Sequence, residues 1–219
     1  MHTVNILISG IYNPQMIQYL KQFGVNQFSF DCRPKSFNFI QAYKIKEMLI
    51  AHGSVLDQYF LHFEDEKDFV IFETLKDITS VPSDHGSLNL EFSGKESLSF
   101  YEQFEIPYTW HFNELVSIDS LPNLKYLRGI SFNQIFLERL YQFRELFNFL
   151  GKIQENLSEN QFLQLKSDWG EPMFESVIDF FTFKTLSLEI NNKVEISYRN
   201  PDLNLVSNHI EHTKHSFSL

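Results

Sequence analysis

Few residues in this 219-residue chain pair a reactive type with surroundings that could use it. Cys32, the single cysteine, stands beside Arg33 and close to Lys35, and neighbouring cations lower a thiol pKa. The plainer reading, an inert side chain in a loop, outweighs a nucleophile. His209, His212 and His215 recur three apart with Glu211 among them. Metal ligands use such spacings, but near a chain end the pattern reads as a solvated tail, so no metal site is expected. Ser9 ends an apolar run, and an alcohol moves a proton only when a neighbouring base takes it. No histidine or carboxylate stands close to Ser9 in sequence, so a small strand-ending residue is the stronger reading. Asp168 is a candidate acid from a loop and equally a turn cap. Lys35 is balanced between an anion contact and a solvated position.

The composition limits which chemistry such residues can serve. Lys and Arg number 18 against 28 Asp and Glu, a net charge of −10, which argues against nucleic-acid binding through a basic surface. Hydrophobic residues at 43% and charged residues at 21% support a sizeable core. No apolar run reaches the roughly 18 residues of a membrane helix, and no basic segment precedes Ile6-Leu7-Ile8 as a secretion signal would require. A cytoplasmic protein is expected, with no cofactor. Phenylalanine occurs 24 times and glycine only 8. That is about half the usual ~7% glycine, which leaves few places for backbone amides to close around a phosphate.

The elements that must position these residues alternate between strand and helix. Val4 to Ile8 reads as a buried strand, and Asn13-Pro14 as a helix start with an Asn cap and Pro in the first turn. Strands follow at 25–30, 58–63, 88–92 and 106–112, separated by helices at 39–50, 66–75 and 95–104. The stretch 115–159 exceeds a simple crossover and reads as an insertion after strand five, carrying one long amphipathic helix at 135–150. Phe136, Phe143, Phe147 and Phe149 mark more than one face of that helix. Any face left exposed would serve a dimer or protein partner. A strand at 162–165, a helix at 173–181, and strands at 186–190 and 203–206 complete eight strands. The last helix is then reduced or missing. One domain over 1–219 results, a (β/α)₈ TIM barrel, with an open doubly wound sheet as the alternative. No G-x-G-x-x-G or Walker motif follows the first strand.

Four stretches, in order, resemble phosphoribosylanthranilate isomerase, a small barrel enzyme of tryptophan synthesis. Ile6-Leu7-Ile8-Ser9-Gly10-Ile11 stands where that family has K-I-C-G-I-T. Phe28-Ser29-Phe30-Asp31-Cys32-Arg33-Pro34-Lys35-Ser36 is similar to its G-F-x-F-x-P-K-S, and Leu90-Glu91-Phe92-Ser93-Gly94-Lys95-Glu96 to its Q-L-H-G-D-E. Val206-Ser207-Asn208-His209-Ile210-Glu211 echoes V-S-S-G-V-E.

The resemblance implies an Amadori rearrangement of a phosphoribosyl amine by a general base on strand one and a general acid at the end of strand six. It puts Ser9 where the base cysteine belongs and leaves Asp168 as the nearest acid. It puts Asn38 in place of an arginine and Ser93 in place of a histidine. Asn191, Asn192, Ser207 and Asn208 fall where phosphate-binding turns belong, and Lys35 is kept at the mouth beside a small anionic ligand. A general acid or base contributes about 10²–10⁴ each. The expectation is therefore a barrel that has lost or altered this isomerisation and acts by binding. The alternative is an active isomerase using Ser9 and Asp168.

Overall fold

The structure is a computed structural model that describes residues 4–114, 121, 123–169 and 182–216. Eight parallel strands close into a barrel in sequence order. They are β1 (Asn5–Ser9), β2 (Gln27–Asp31), β3 (Gln58–Phe63), β4 (Ser87–Phe92), β5 (Tyr108–His111), β6 (Leu127–Asn133), β7 (Phe162–Ser167) and β8 (Phe183–Glu189). The seam pairs Asn5 through Ser9 with Thr185 through Glu189. Helices α1 (Pro14–Gln22), α2 (Ala42–His52), α3 (Asp68–Ile78), α4 (Leu98–Glu102), α5 (Gln134–Gln142), α6 (Leu146–Asn156) and α7 (Leu203–Ser216) follow in order. Among the described residues, no helix is long and apolar enough to cross a membrane.

The barrel is as expected, but three expectations about its second half are corrected. The stretch 115–159 is not an insertion, because it supplies β6, α5 and α6. Strand β6 hides in the sequence because Gly129, Ser131 and Asn133 interrupt its apolar residues. Those three positions alternate with the buried Ile130 and Phe132. Gly129 is required there, since a Cβ would stand 2.7 Å from Thr109 Oγ1 and 2.8 Å from the Phe162 ring.

The expected long helix breaks at Arg144, whose φ of 63° leaves the helical region. Residues 203–206 are not an eighth strand; they begin α7, the last helix, expected to be reduced or missing, which runs for 14 residues. Asp202 caps it by accepting from the Leu205 amide at 3.0 Å. The true eighth strand is β8, and the short piece after it forms a hairpin of β9 (Glu195–Ser197) and β10 (Asn200–Pro201). The expected helix at 173–181 lies outside the described residues.

Side chains alternate across the barrel wall, and the two faces differ in kind. The outward face and the helices share one hydrophobic core. In it Phe92 stacks on Tyr101 at 4.1 Å and meets Tyr108 edge-on at 5.7 Å. Inside the wall, Leu7 and Phe60 are buried apolar residues that do not belong to that core. Most other inward positions are polar and buried, among them Ser29, Glu91, Thr109, Gln164, Thr185 and Ser187. Gln164 donates to Ser131 at 3.3 Å, and Ser9 shares a 3.0 Å bond with Ser187. The barrel lumen is a hydrogen-bonded polar stack.

Candidate functional site

Barrel chemistry gathers at the C-terminal ends of the strands, and here three successive strands end alike. β3 closes on His62-Phe63, β4 on Glu91-Phe92, and β5 on His111 followed by Phe112. Phe63 and Phe92 join the outer core, so each preceding residue points into the mouth. Register sets His62 beside both Asp31 and Glu91.

Glu91 is buried, accepting from His111 Nε2 at 2.7 Å through one oxygen and from Ser29 Oγ at 2.7 Å through the other. Burial alone would raise its pKa. The hydrogen bond and charge of His111, with smaller contributions from His62 and Ser29, outweigh burial and hold the carboxyl well below its usual range. An ionised Glu91 only accepts, so His111 carries its proton on Nε2 in either charge state. When His111 is neutral, Nδ1 is therefore a bare acceptor. His62 stacks on His111 with ring centroids 5.0 Å apart and bonds Ser93 Oγ through Nε2 at 2.8 Å. Burial pushes the His62 pKa well below its ordinary value, against the raising effect of Glu91, and the ring is neutral.

The cations around this cluster are spoken for. Arg33 forks onto Asp31 at 2.8 and 2.6 Å and lies 3.8 Å from Glu189. Burial would raise the Asp31 pKa, but bonds from Arg33 and Ser36 prevail and lower it. Lys166 pairs with Glu189 at 2.7 Å.

The expected site residues are scattered around the mouth rather than gathered. Ser9 is buried and its hydroxyl is held by Ser187. Asp168 follows β7, where it bonds Asn191 at 3.0 Å and Lys193 at 2.5 Å. Burial would raise its pKa, yet those two partners and the Trp169 amide lower it. The structure gives Ser9 and Asp168 different partners, Ser187 within β8 for the first and Asn191 and Lys193 just after it for the second.

Counting strands in the structure moves the acid position as well. The sixth strand ends on Asn133, while Asp168 follows the seventh. Asn38 is buried and donates to the Ile190 carbonyl at 2.7 Å. It tightens the loop against Gly10, where a Cβ would overlap its amide. Ser93 lies at the mouth and holds His62. Asn191 and Asn192 follow β8, not β7. Ser207 and Asn208 lie in α7, with the Ser207 hydroxyl turned to the Asn204 carbonyl and Tyr19. Lys35 stands exposed in the loop after β2, in a cavity shared with Glu64, Asp65 and Glu66. Cys32 is buried, and desolvation pushes its thiol up rather than down. His209 packs against Trp169. No three His, Cys, Asp or Glu residues are placed to hold a metal among the described residues.

The mouth is open on one side and covered on the other. A cavity of about 370 Å³ is lined by Ser93, His111, Phe112, Asn113, Glu114, Phe132, Asn133 and Phe136. A second of about 260 Å³ lies next to it and shares Asn133, with Lys166, Asp168, Glu189 and Asn191 around it. Over β8, β1 and β2 the β9–β10 hairpin folds across. Glu195 accepts from Tyr12, Tyr198 meets Phe37 edge-on at 5.0 Å, and Arg199 donates to the Phe39 carbonyl.

Sequence reasoning missed His62, His111 and the role of Glu91. The signal was present as His-Phe, Glu-Phe and His-Phe closing three neighbouring strands.

No protein-family model and no curated protein matches the chain. Solved structures do. A phosphoribosylanthranilate isomerase in complex with reduced 1-(o-carboxyphenylamino)-1-deoxyribulose 5-phosphate matches with a TM-score of 0.69 at 15% identity, over 99% of this chain and 100% of its own. The Thermus thermophilus isomerase gives 0.69 at 13%, over 97% and 99%. Monomers of the dimeric Thermotoga maritima isomerase give 0.68 at 14%, over 99% of each chain. The chain has the fold of these isomerases.

Proposed function

We propose that this chain is a ligand-binding barrel of the phosphoribosylanthranilate isomerase fold that does not carry out that isomerisation. The observation that carries the reading is the identity of two strand-end residues. β1 ends on Ser9 and β6 on Asn133, the places where the resemblance puts the general base and the general acid. Neither side chain ionises near neutral pH, and Ser9 is engaged by a second hydroxyl. Each missing group removes a factor of about 10²–10⁴. The covering hairpin and the paired cations argue the same way for the phosphate. Anion binding at Arg33 or Lys166 would break a bond to Asp31 or Glu189. The lone buried thiol suits a reducing compartment such as the cytoplasm.

The fluorescence of phosphoribosylanthranilate tests this directly. With purified protein its loss is expected to be no faster than the spontaneous reaction, and the reduced deoxyribulose 5-phosphate analogue is expected not to saturate. Turnover near ordinary enzyme rates, about 1 s⁻¹ or above, overturns the reading. If turnover appears and Asp168→Asn abolishes it, the active-isomerase alternative with Ser9 and Asp168 takes its place.

A further inference from the structure

We infer that the open side of the mouth takes an uncharged sugar or similar polyol, held by hydroxyl, amide and imidazole groups against an aromatic wall. This rests on the reading above, that the mouth binds rather than isomerises, and it names the ligand class. Three observations lead to it. The larger cavity between the ends of β4 and β6 contains no lysine or arginine among its described residues, and Glu114 adds a carboxylate to its rim. Glu114 is itself paired with Arg139, and Glu91 lies directly behind His111. The nearest guanidinium, Arg139 over the Phe136 ring, is already engaged by Glu114, so a phosphate or carboxylate would meet Glu91 and Glu114 and only a cation that is already paired.

The polar groups that do line the cavity suit hydroxyls, which donate and accept at once. His111 lines the cavity; its Nε2 is committed to Glu91, and among the described residues its Nδ1 has no hydrogen-bond partner, which leaves it an acceptor when the ring is neutral. Asn133 uses its Oδ1 to cap α5 through the Ile135 amide at 2.9 Å. Its Nδ2 has no described partner and is a donor. Ser93 Oγ, fixed by His62, supplies a third group.

The remaining wall is aromatic. Phe112 packs on Phe132 at 5.2 Å and on Phe136 at 5.4 Å, and Phe112 and Phe136 are only partly buried. Partly exposed rings supply an apolar wall for the C–H groups of a sugar, and an apolar wall with a few fixed polar groups is the usual make-up of a small-ligand site. About 370 Å³ is within the range of ordinary small-molecule sites.

D-Ribose and D-ribose 5-phosphate, titrated into the full-length protein by calorimetry, test the inference. Ribose is expected to saturate with a dissociation constant of about a millimolar, usual for a ligand of this size. Ribose 5-phosphate is expected to bind at least tenfold more weakly. Asn133→Ser, which keeps a capping oxygen while losing the amide donor, should weaken ribose about threefold or more with the melting temperature unchanged. Ser93→Ala should weaken it by as much while lowering the melting temperature, because it also strips His62 Nε2 of its partner. No saturation by ribose overturns the inference, as does equal or tighter binding of the phosphorylated sugar, or indifference to both substitutions. None of those outcomes touches the proposed loss of isomerisation, which fails only on phosphoribosylanthranilate turnover.

Discussion

His62 is neutral in the folded protein, since burial pushes its pKa far below the ordinary value of about 6.5. The unfolded chain therefore binds a proton below about pH 6.5 that the native state refuses, so stability falls as pH drops through that value. Glu91 acts at lower pH. Its folded pKa is depressed, so the stability it contributes is full above about pH 4.5 and is lost as pH falls toward the folded value. Melting followed by circular dichroism should show a plateau above about pH 7 and a decline that starts near 6.5. His62→Gln should flatten the decline between about pH 5 and 6.5, and a profile unchanged by that substitution would contradict the assignment. The residues responsible were visible in the sequence only as a rhythm. A histidine before a phenylalanine says little alone; three strand ends in a row with an ionisable residue before phenylalanine say that one face is an aromatic core and the other a polar mouth. Ser9 and Asp168 attracted attention because a motif pointed to them, yet their partners, Ser187 and Lys193, come from around β8. No local spacing encodes those meetings.

At the level of elements, the first five strands and first three helices were legible because their apolar residues keep helical or strand periods between clear Pro and Gly signals. The helix break at Arg144 and the β9–β10 hairpin were not, and two further elements misled. β6 carries glycine, serine and asparagine on its inward face, which sequence periodicity reads as a loop, and only barrel closure explains why those positions are small or polar. α7 begins with an apolar run, Leu203-Asn204-Leu205-Val206, that looks like a strand until Asp202 is recognised as its cap. Missing β6 shifted the strand count by one and moved the expected acid from Asn133 to Asp168. Asp202→Ala should cost about 1 kcal/mol, a typical value for a lost helix cap, measured by urea unfolding. A cost near zero would mean that packing of Val206 and Ile210 alone holds the helix in place.

For the molecule as a whole, much of the phenylalanine content lies in the shell between wall and helices, where Phe63, Phe92, Tyr101, Phe104 and Tyr108 interlock. Phe92 is fully buried at their centre. Phe92→Ala should cost about 3–5 kcal/mol, seen as an earlier denaturant midpoint, while a loss below about 1 kcal/mol would mean that the neighbouring rings close the gap. With the apolar area outside the wall and the lumen polar, the barrel cannot be stabilised from within by a greasy plug. The pairing of β1 with β8 gives this arrangement a cost during synthesis. Seven strands leave the ribosome before the residues around Leu186 can zip onto Ile6, so the nascent sheet holds two unpaired borders until β8 has emerged. A truncation short of β8 would leave the edges of β1 and β7 unpaired, and unpaired edges are where strands of other chains add.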